Sequence, residues 1–271
     1  MTGFAGPGGG AGPGSGSGGG AGPVARKALW RAVLAGTGGL RVCDTAALPA
    51  GPCVIVANHC SHADTAALIA ALPAQRRPAV AAAADYWFGG GLRPRICRAL
   101  CGAFPVRRGG GGSADLAAAC RLLAAGRDVI VYPEGTRSRD GQTGEFHRGA
   151  ARLAAAAGVP LVPVGISGTR TLLPPGGTAH RPHRAAVTVR IGAPLTVAAA
   201  PRTVAAAPRT VASPAAPALA GGNLMIVASF GPYMARTGHD HEPGSSDGVG
   251  DATVEARARV VALVTGQARR G

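Results

Sequence analysis

Short apolar runs recur along the middle of the chain, at lengths typical of buried strands. Most of them end at polar residues, glycine or proline, as expected of strands that are covered on both faces. The last run instead alternates apolar and polar residues, which is typical of a half-exposed strand. The predicted strands are 53–57, 79–84, 103–106, 128–132, 159–166 and 187–192.

Helical patterns of apolar residues lie between these strands. They predict helices at 93–101, at 113–126 with Ser113 as a candidate N-cap, at 147–157, and in a stretch that continues through Ala71. Strands that alternate with helices predict an α/β fold. We expect a sandwich in which a largely parallel sheet is flanked by helices.

Composition divides the chain into four predicted segments. Residues 1–23 are rich in Gly, Pro and Ser and predict a disordered tail. Residues 24–196 carry the strand and helix pattern and predict one domain. Two copies of TVAAAPR, beginning at Thr196, are followed by a stretch rich in Gly, Ser and Pro. Residues 197–250 therefore predict a low-complexity insertion. Residues 251–271 begin with renewed helical spacing and predict a C-terminal helix that packs on the domain.

The charge balance favours an anionic partner. The chain has 28 Lys and Arg against 13 Asp and Glu, a formal net charge of +15. Such a balance fits a membrane that carries anionic lipids, and it also fits nucleic acid. Residues 24–34, VARKALWRAVL, predict a basic helix that either lies at a membrane interface or packs on the domain as an ordinary surface helix.

The expected compartment is the cytoplasm, with the protein peripheral on the inner face of the cell membrane. No apolar run reaches the roughly 18–20 residues that a spanning helix needs, and the glycine-rich start lacks the pattern of a signal peptide. The six cysteines have no CxxC spacing and are expected to be reduced.

Two polar motifs follow predicted strands. In the first, NHCSHAD at 58–64, His59 precedes Asp64 by five residues, so a turn can bring the imidazole and the carboxylate together. The carboxylate would then fix one tautomer of the imidazole and make it an effective base toward a hydroxyl. The second motif, YPEGTRS at 132–138, places glycine, threonine and arginine where they can bind phosphate oxygens.

These motifs, together with GAFPVRR at 102–108 and VPLVPV at 159–164, resemble the lysophospholipid acyltransferase family. That family includes the 1-acylglycerol-3-phosphate acyltransferases. NHCSHAD is similar to its NHxxxxD block and YPEGTRS to its EGTRS block, and all four blocks have the family order. The resemblance covers roughly residues 40–195 and implies a glycerol-3-phosphate acyltransferase-like fold.

The resemblance also implies roles for single residues. His59 would be the general base toward the acceptor hydroxyl, and Asp64 would orient it. Transfer would be direct, without an acyl-enzyme or a bound cofactor, from acyl-CoA or acyl carrier protein. The acceptor would be 1-acyl-sn-glycerol-3-phosphate, another lysophospholipid or a specialised alcohol. The residues expected to hold the glycerol phosphate are Arg108, Glu134, Gly135, Thr136 and Arg137.

Other functions fit the sequence less well. A zinc site would need four ligands, and no second pair of His or Cys residues complements the first motif, so no metal is expected. A basic protein that binds anionic lipid or nucleic acid without catalysis would explain the charge. The basic stretches lack the aromatic residues that stack on single-stranded bases, so a nucleic-acid partner is not expected.

Overall fold

The computed structural model describes residues 21–44, 47–107, 112–174, 183–198 and 248–266. In these ranges seven strands form one sheet in the order β1-β7-β6-β2-β5-β3-β4. All neighbouring pairs are parallel except β6 and β7. The strands are β1 Leu40–Cys43, β2 Val54–Ala57, β3 Ala79–Ala83, β4 Phe104–Val106, β5 Val129–Val131, β6 Leu161–Ser167 and β7 Val187–Ile191.

Helices cover both faces of this sheet. Helices α1, α2, α4 and α7 contribute to one apolar layer, and α5, α6 and α8 contribute to the other. The predicted α/β sandwich with a largely parallel sheet is therefore confirmed. The helices are α1 Ala21–Gly36, α2 Ala63–Ala71, α3 Ala84–Trp87, α4 Arg93–Cys101, α5 Gly112–Ala124, α6 Gly149–Ala157, α7 Thr169–Leu172 and α8 Gly248–Thr265, with a 3₁₀ turn at Ala74–Arg76.

The centre of the sheet is the most apolar part of the molecule. Successive residues of β2 alternate between the two layers: Ile55 packs in the first, and Val54 and Val56 pack in the second. Every residue of β2 is at most 1% exposed. A strand buried on both faces reads as a continuous apolar run, which explains why the sequence predicts it well.

Strand register brings the two polar motifs to one edge of the sheet. β2 pairs in parallel with β5, with Val54 opposite Val129, and with β6, with Val54 opposite Leu161. The carboxyl ends of the three strands therefore lie side by side. Open α/β sheets bind their ligands beyond this edge.

The strands that are harder to predict lie at the margin. β1 has only four residues, none of them buried, and includes the exposed Arg41. It lacks an apolar run and becomes a strand by pairing in parallel with β7, so the sequence prediction missed it. The short helices α3 and α7 were also missed, because four residues are too few to show a helical period.

Two of the predicted segments lie largely outside the described residues. Residues 1–20 of the predicted tail and 199–247 of the predicted insertion lie outside them. α1 begins at Ala21, inside the predicted tail, and α8 begins at Gly248, inside the predicted insertion. No helix within the described ranges has both the length and the apolar character needed to cross a bilayer.

α8 packs directly on the sheet, and one glycine permits this contact. A Cβ atom built on Gly165 of β6 would lie 2.5 Å from Leu263 Cβ and 2.7 Å from the Leu263 carbonyl carbon. No real side chain tolerates such distances, so glycine is required where the helix backbone meets the strand.

Candidate active site

The candidate site begins where β2 ends. The side chain of Asn58 continues the pairing of β2 with β6, because its Nδ2 donates to the Ile166 carbonyl at 2.9 Å and its Oδ1 accepts from the Ile166 amide at 2.8 Å. Both groups are buried, so these bonds satisfy backbone atoms that would otherwise be costly to bury. The next residue, His59, is thereby held at the edge of the sheet.

His59 and Asp64 form a hydrogen-bonded pair. His59 Nδ1 lies 2.9 Å from Asp64 Oδ2, which also accepts from the amides of Cys60 and Ser61, each at 2.8 Å. The carboxylate is fully buried, whereas the imidazole keeps 16% of its surface exposed. Asp64 lies in the first turn of α2, where the helix dipole favours a negative charge. Two backbone amides therefore fix the Asp64 carboxylate, and the carboxylate in turn fixes the orientation of the imidazole.

Tyr132, the first residue of the second motif, supports the His59 imidazole from one side. Its ring stacks on that of His59 with centroids 4.0 Å apart and planes inclined by 16°. The Tyr132 hydroxyl lies 2.9 Å from Thr65 Oγ1 in a shared hydrogen bond. Burial raises the pKa of Tyr132 well above its ordinary value, and the Asp64 charge adds to that effect. Tyr132 is therefore a neutral, fixed platform.

Glu134 joins the second motif to the first. Its Oε1 accepts from the His59 amide at 2.7 Å, and its Oε2 accepts from the Gly144 amide at 2.9 Å. The Ser138 amide in turn donates to the His59 carbonyl at 2.7 Å. Burial raises the pKa of Glu134 above its ordinary value. Both carboxylate oxygens thus engage the protein backbone.

The rest of the second motif faces solvent beside the imidazole. Gly135 and Thr136 are exposed, and Arg137 is half-buried. Gly135 has a φ of +70°, a conformation that favours glycine and turns the chain sharply after Glu134. Burial lowers the pKa of His62, and the positive charge of Arg137 lowers it further. The guanidinium therefore lies close enough to act on the first motif.

The GAFPVRR segment at 102–108 is described only as far as residue 107. Arg108, predicted to contact phosphate, lies outside the described residues. Its neighbour Arg107 is exposed, and the Arg107 amide donates to Asp115 Oδ2 at 2.8 Å. Asp115 belongs to the first turn of α5, so it connects this loop to the helix that follows.

Sequence reasoning assigned no role to Asn58, Tyr132, His62 or Arg170. Arg170 follows β6 at the same edge of the sheet, and its Nη2 donates to the Arg139 carbonyl at 2.7 Å. Its Nη1 is buried and finds no hydrogen-bond partner among the described residues. The first three residues lie within or directly beside the recognised motifs, whereas Arg170 belongs to no motif and only the fold brings it to the site.

The arrangement is suited to proton transfer. A carboxylate holds Nδ1 of an imidazole whose ring is partly open to solvent, which is the geometry of a general base. The neighbouring thiol is unsuited to nucleophilic attack, because burial and then the Asp64 charge raise the pKa of Cys60 to about 11. Within the described ranges, no three His, Cys, Asp or Glu residues gather into a metal-binding group.

Comparison with protein families and characterised proteins gives one consistent result. Residues 39–167 match the family model described as Acyltransferase. A chloroplastic 1-acyl-sn-glycerol-3-phosphate acyltransferase of Brassica napus is 47% identical over 55 residues, which are 20% of this chain and 16% of that protein. The human 1-acyl-sn-glycerol-3-phosphate acyltransferase beta is 36% identical over 118 residues, 42% of this chain and 41% of that protein. The chain thus matches well under half the length of either relative.

A solved structure shares the fold. The crystal structure of the 1-acyl-sn-glycerophosphate acyltransferase PlsC from Thermotoga maritima superposes with a TM-score of 0.52. The superposition covers 64% of this chain and 68% of that chain, at 24% sequence identity. This similarity confirms the expected acyltransferase-like architecture.

Proposed function

Residues 39–167 match the acyltransferase family model, and from this match we propose that the chain transfers a fatty acyl group from a thioester donor to the free hydroxyl of 1-acyl-sn-glycerol-3-phosphate. The observation that carries the proposal is the His59–Asp64 pair, 2.9 Å apart at the carboxyl edge of the sheet. The names of the relatives support the choice of acceptor.

In the proposed reaction His59 acts as the general base. Its Nε2 accepts the proton of the acceptor hydroxyl while the oxygen attacks the carbonyl carbon of the thioester. The C–S bond then breaks, and the departing thiolate recovers the proton from the imidazolium. The buried carboxylate of Asp64 stabilises the imidazolium through Nδ1 during the step. A positioned base of this kind contributes about 10²–10⁴-fold to a rate.

Direct transfer fits the site better than a covalent intermediate. Cys60 is the thiol next to His59, and its Sγ lies 3.4 Å from Thr169 Oγ1 in a buried pocket. With its pKa raised to about 11 by burial and by Asp64, Cys60 is protonated at neutral pH. No acyl-cysteine is needed, and the donor, acyl-CoA or acyl carrier protein, reacts with the alcohol itself. The protein contributes no bound cofactor to this step.

The second motif is proposed to bind the acceptor phosphate. Arg137 supplies a forked cation near the first motif, while Gly135 and Thr136 are exposed beside it. Arg108 is proposed to add a second positive charge. Glu134 is better assigned a positioning role, because both of its oxygens accept from backbone amides and a carboxylate would repel a phosphate. It fixes the loop that presents Arg137.

The substrates of this reaction are membrane lipids, so we place the protein at the inner face of the cell membrane as a peripheral cytoplasmic enzyme. The net charge of +15 supports attraction to anionic lipids.

The test is a transfer assay with purified protein and a labelled acyl donor. Acyl-CoA and acyl carrier protein are compared as donors, and a panel of lysophospholipids is compared as acceptors. His59→Ala is expected to lose about 10²–10⁴-fold in turnover. Arg137→Ala should chiefly raise the KM for the phosphomonoester acceptor, whereas Arg121→Ala, an exposed arginine on α5, should leave it unchanged.

Two results would contradict the proposal. Undiminished turnover in His59→Ala would remove the base from the mechanism. An unaltered acceptor KM in Arg137→Ala would remove the phosphate role. Transfer to an acceptor other than lysophosphatidate would keep the mechanism and change the substrate.

A further inference from the structure

Exposed apolar side chains are concentrated on one side of the sheet. Of the seven large apolar residues exposed in the described ranges, six lie on α1, on α3 or on α4 with its N-cap, and one lies on α8 in the opposite layer. α1 and α4 contribute to the same apolar layer and contact one another. The seven are Val24, Leu29, Val33, Tyr86, Leu92, Ile96 and Val254.

α4 directs an apolar stripe away from the protein. Leu92, at the N-cap, is 66% exposed, and Ile96, one turn later, is 50% exposed. The opposite side of the helix packs inward through Cys97, which is 5% exposed. A surface helix ordinarily turns its apolar stripe to the core. The reversed orientation indicates a second apolar environment outside the protein.

Arginines flank this stripe. Arg93, Arg95 and Arg98 are all exposed. At 100° per residue, Arg93 and Arg95 lie on the two sides of the stripe, and Arg98 lies farther round the helix. The Arg98 guanidinium lies 5.0 Å from the centre of the Phe88 ring. Across residues 84–101 the sequence holds three arginines and a single acidic residue.

α1 extends the same surface. Its Arg26 Nε donates to the Ala99 carbonyl at 2.8 Å, so this side of α1 adjoins the end of α4. Leu29 and Val33 follow Arg26 at i+3 and i+7 and therefore share that side of the helix; they are 45% and 42% exposed. Trp30 of the same helix donates from Nε1 to the Leu100 carbonyl at 2.8 Å and packs on the domain.

The surface adjoins the candidate active site. α3, which precedes α4, places the ring of Trp87 5.6 Å from that of His62 in the first motif. A cavity of about 420 Å³ lies between α3 and α4 and is lined by Tyr86, Leu92 and the glycines at 89–91. If α4 lay against a lipid bilayer, the bilayer would therefore lie close to the first motif, which contains His59 and His62.

We propose that α4 and the Leu29–Val33 side of α1, together the α4 face, dock on an anionic lipid bilayer. Leu92 and Ile96 enter the interface, and the flanking arginines contact lipid phosphates. The charge selects this partner. A second copy of the chain in a two-fold interface would present the same arginines and be repelled. The proposal concerns where the protein binds, and it stands apart from the reaction proposed above.

The test is flotation of the full chain with two kinds of vesicle, phosphatidylcholine alone and phosphatidylcholine mixed with phosphatidylglycerol. The wild type should float chiefly with the anionic vesicles. Leu92→Ser with Ile96→Ser should lower partitioning about tenfold or more, because two aliphatic side chains no longer leave water. Arg95→Glu should weaken the preference for anionic vesicles, because it reverses one of the charges beside the stripe. Val254 on α8 is also aliphatic and is 71% exposed, so Val254→Ser is the matched control. This variant should float like the wild type.

The possible outcomes separate this inference from the reaction. His59→Ala should float normally while it loses turnover, and the Leu92→Ser/Ile96→Ser variant should keep turnover on short-chain, water-soluble substrates. Equal flotation of that variant and the wild type would overturn the proposal, as would no flotation of the wild type. A wild-type dimer that the double substitution dissociates would reassign the face to a second copy. Binding of acyl carrier protein without binding of vesicles would reassign it to an acidic protein.

Discussion

A buried aspartate lies at each end of the central strand β2, and the two aspartates have different partners. At the amino end, Asp128 Oδ1 accepts from Arg76 Nη2 at 2.8 Å and from the Cys53 amide at 3.1 Å, and Oδ2 accepts from Arg76 Nε. At the carboxyl end, Asp64 accepts from backbone amides and pairs with His59. Both carboxylates are at most 1% exposed.

The two pairs differ in the basic side chain that faces the carboxylate, which is Arg76 in one pair and His59 in the other. The side chains of Arg76 and His59 are almost equally covered, at 14% and 16% exposure. Arg76 uses its remaining donors on the carbonyls of Pro49 and Gly51, each at 2.8 Å, and a guanidinium keeps its charge at every ordinary pH. An imidazole exchanges its proton near neutral pH. A buried carboxylate therefore stabilises the fold at one edge of the sheet, and at the other edge a second one supports proton transfer in the proposed mechanism.

The largest effect is expected when the proposed catalytic pair is broken. Asp64→Asn removes the negative charge that would stabilise the imidazolium in the proposed step, and it turns an amide toward donors that need an acceptor. Turnover should fall by about 10²–10⁴-fold, with little change in the KM of the acceptor. Steady-state kinetics measure both quantities. A fall confined to the acceptor KM would mean that Asp64 serves binding rather than proton transfer.

Breaking the structural pair should cost stability instead. Asp128→Asn leaves a guanidinium that is only 14% exposed without its charge partner, which costs about 3–5 kcal/mol of unfolding free energy. Urea unfolding measures the loss, and kcat per folded molecule should stay unchanged. Asp115→Asn is the matched control, because the Arg107–Asp115 pair is 62% and 19% exposed, and exposed pairs contribute under about 1 kcal/mol. Equal losses in the two variants would contradict the assigned role of Asp128.

The two pairs also differ in how far the sequence predicts them. His59 and Asp64 lie five residues apart in one motif directly after a clear apolar strand, so local spacing suffices. Asp128 and Arg76 are 52 residues apart and belong to no motif. Only the packing of the 3₁₀ turn beside the start of β5 unites them. Central strands are predictable because they are buried on both faces, whereas β1 depends on its partner β7.

The second motif shows a further limit of sequence reasoning. Its order and residue types predict that Glu134 and Arg137 lie at the same edge as His59, and they do. The sequence does not reveal that Glu134 turns both oxygens to backbone amides, or that the charge of Arg137 lowers the pKa of His62 in the first motif. Side-chain direction after a strand depends on the turn, and here Gly135, at a φ of +70°, determines it.

The smallest expected effect concerns the second imidazole of the first motif, His62, and it sharpens the contrast with the permanent charge of Arg76. Burial, then the charges of Arg137 and His59, lower the pKa of His62 below its ordinary 6.5, while Asp64 acts in the opposite direction. The unfolded chain therefore binds this proton more readily than the folded chain, so stability is retained above about pH 6.5 and declines as the pH falls below it. His62→Gln should flatten the dependence of the melting temperature on pH in that range, whereas His183→Gln, at an exposed histidine, should leave it as in the wild type. An identical acid decline in all three proteins would show that protonation of His62 does not oppose folding.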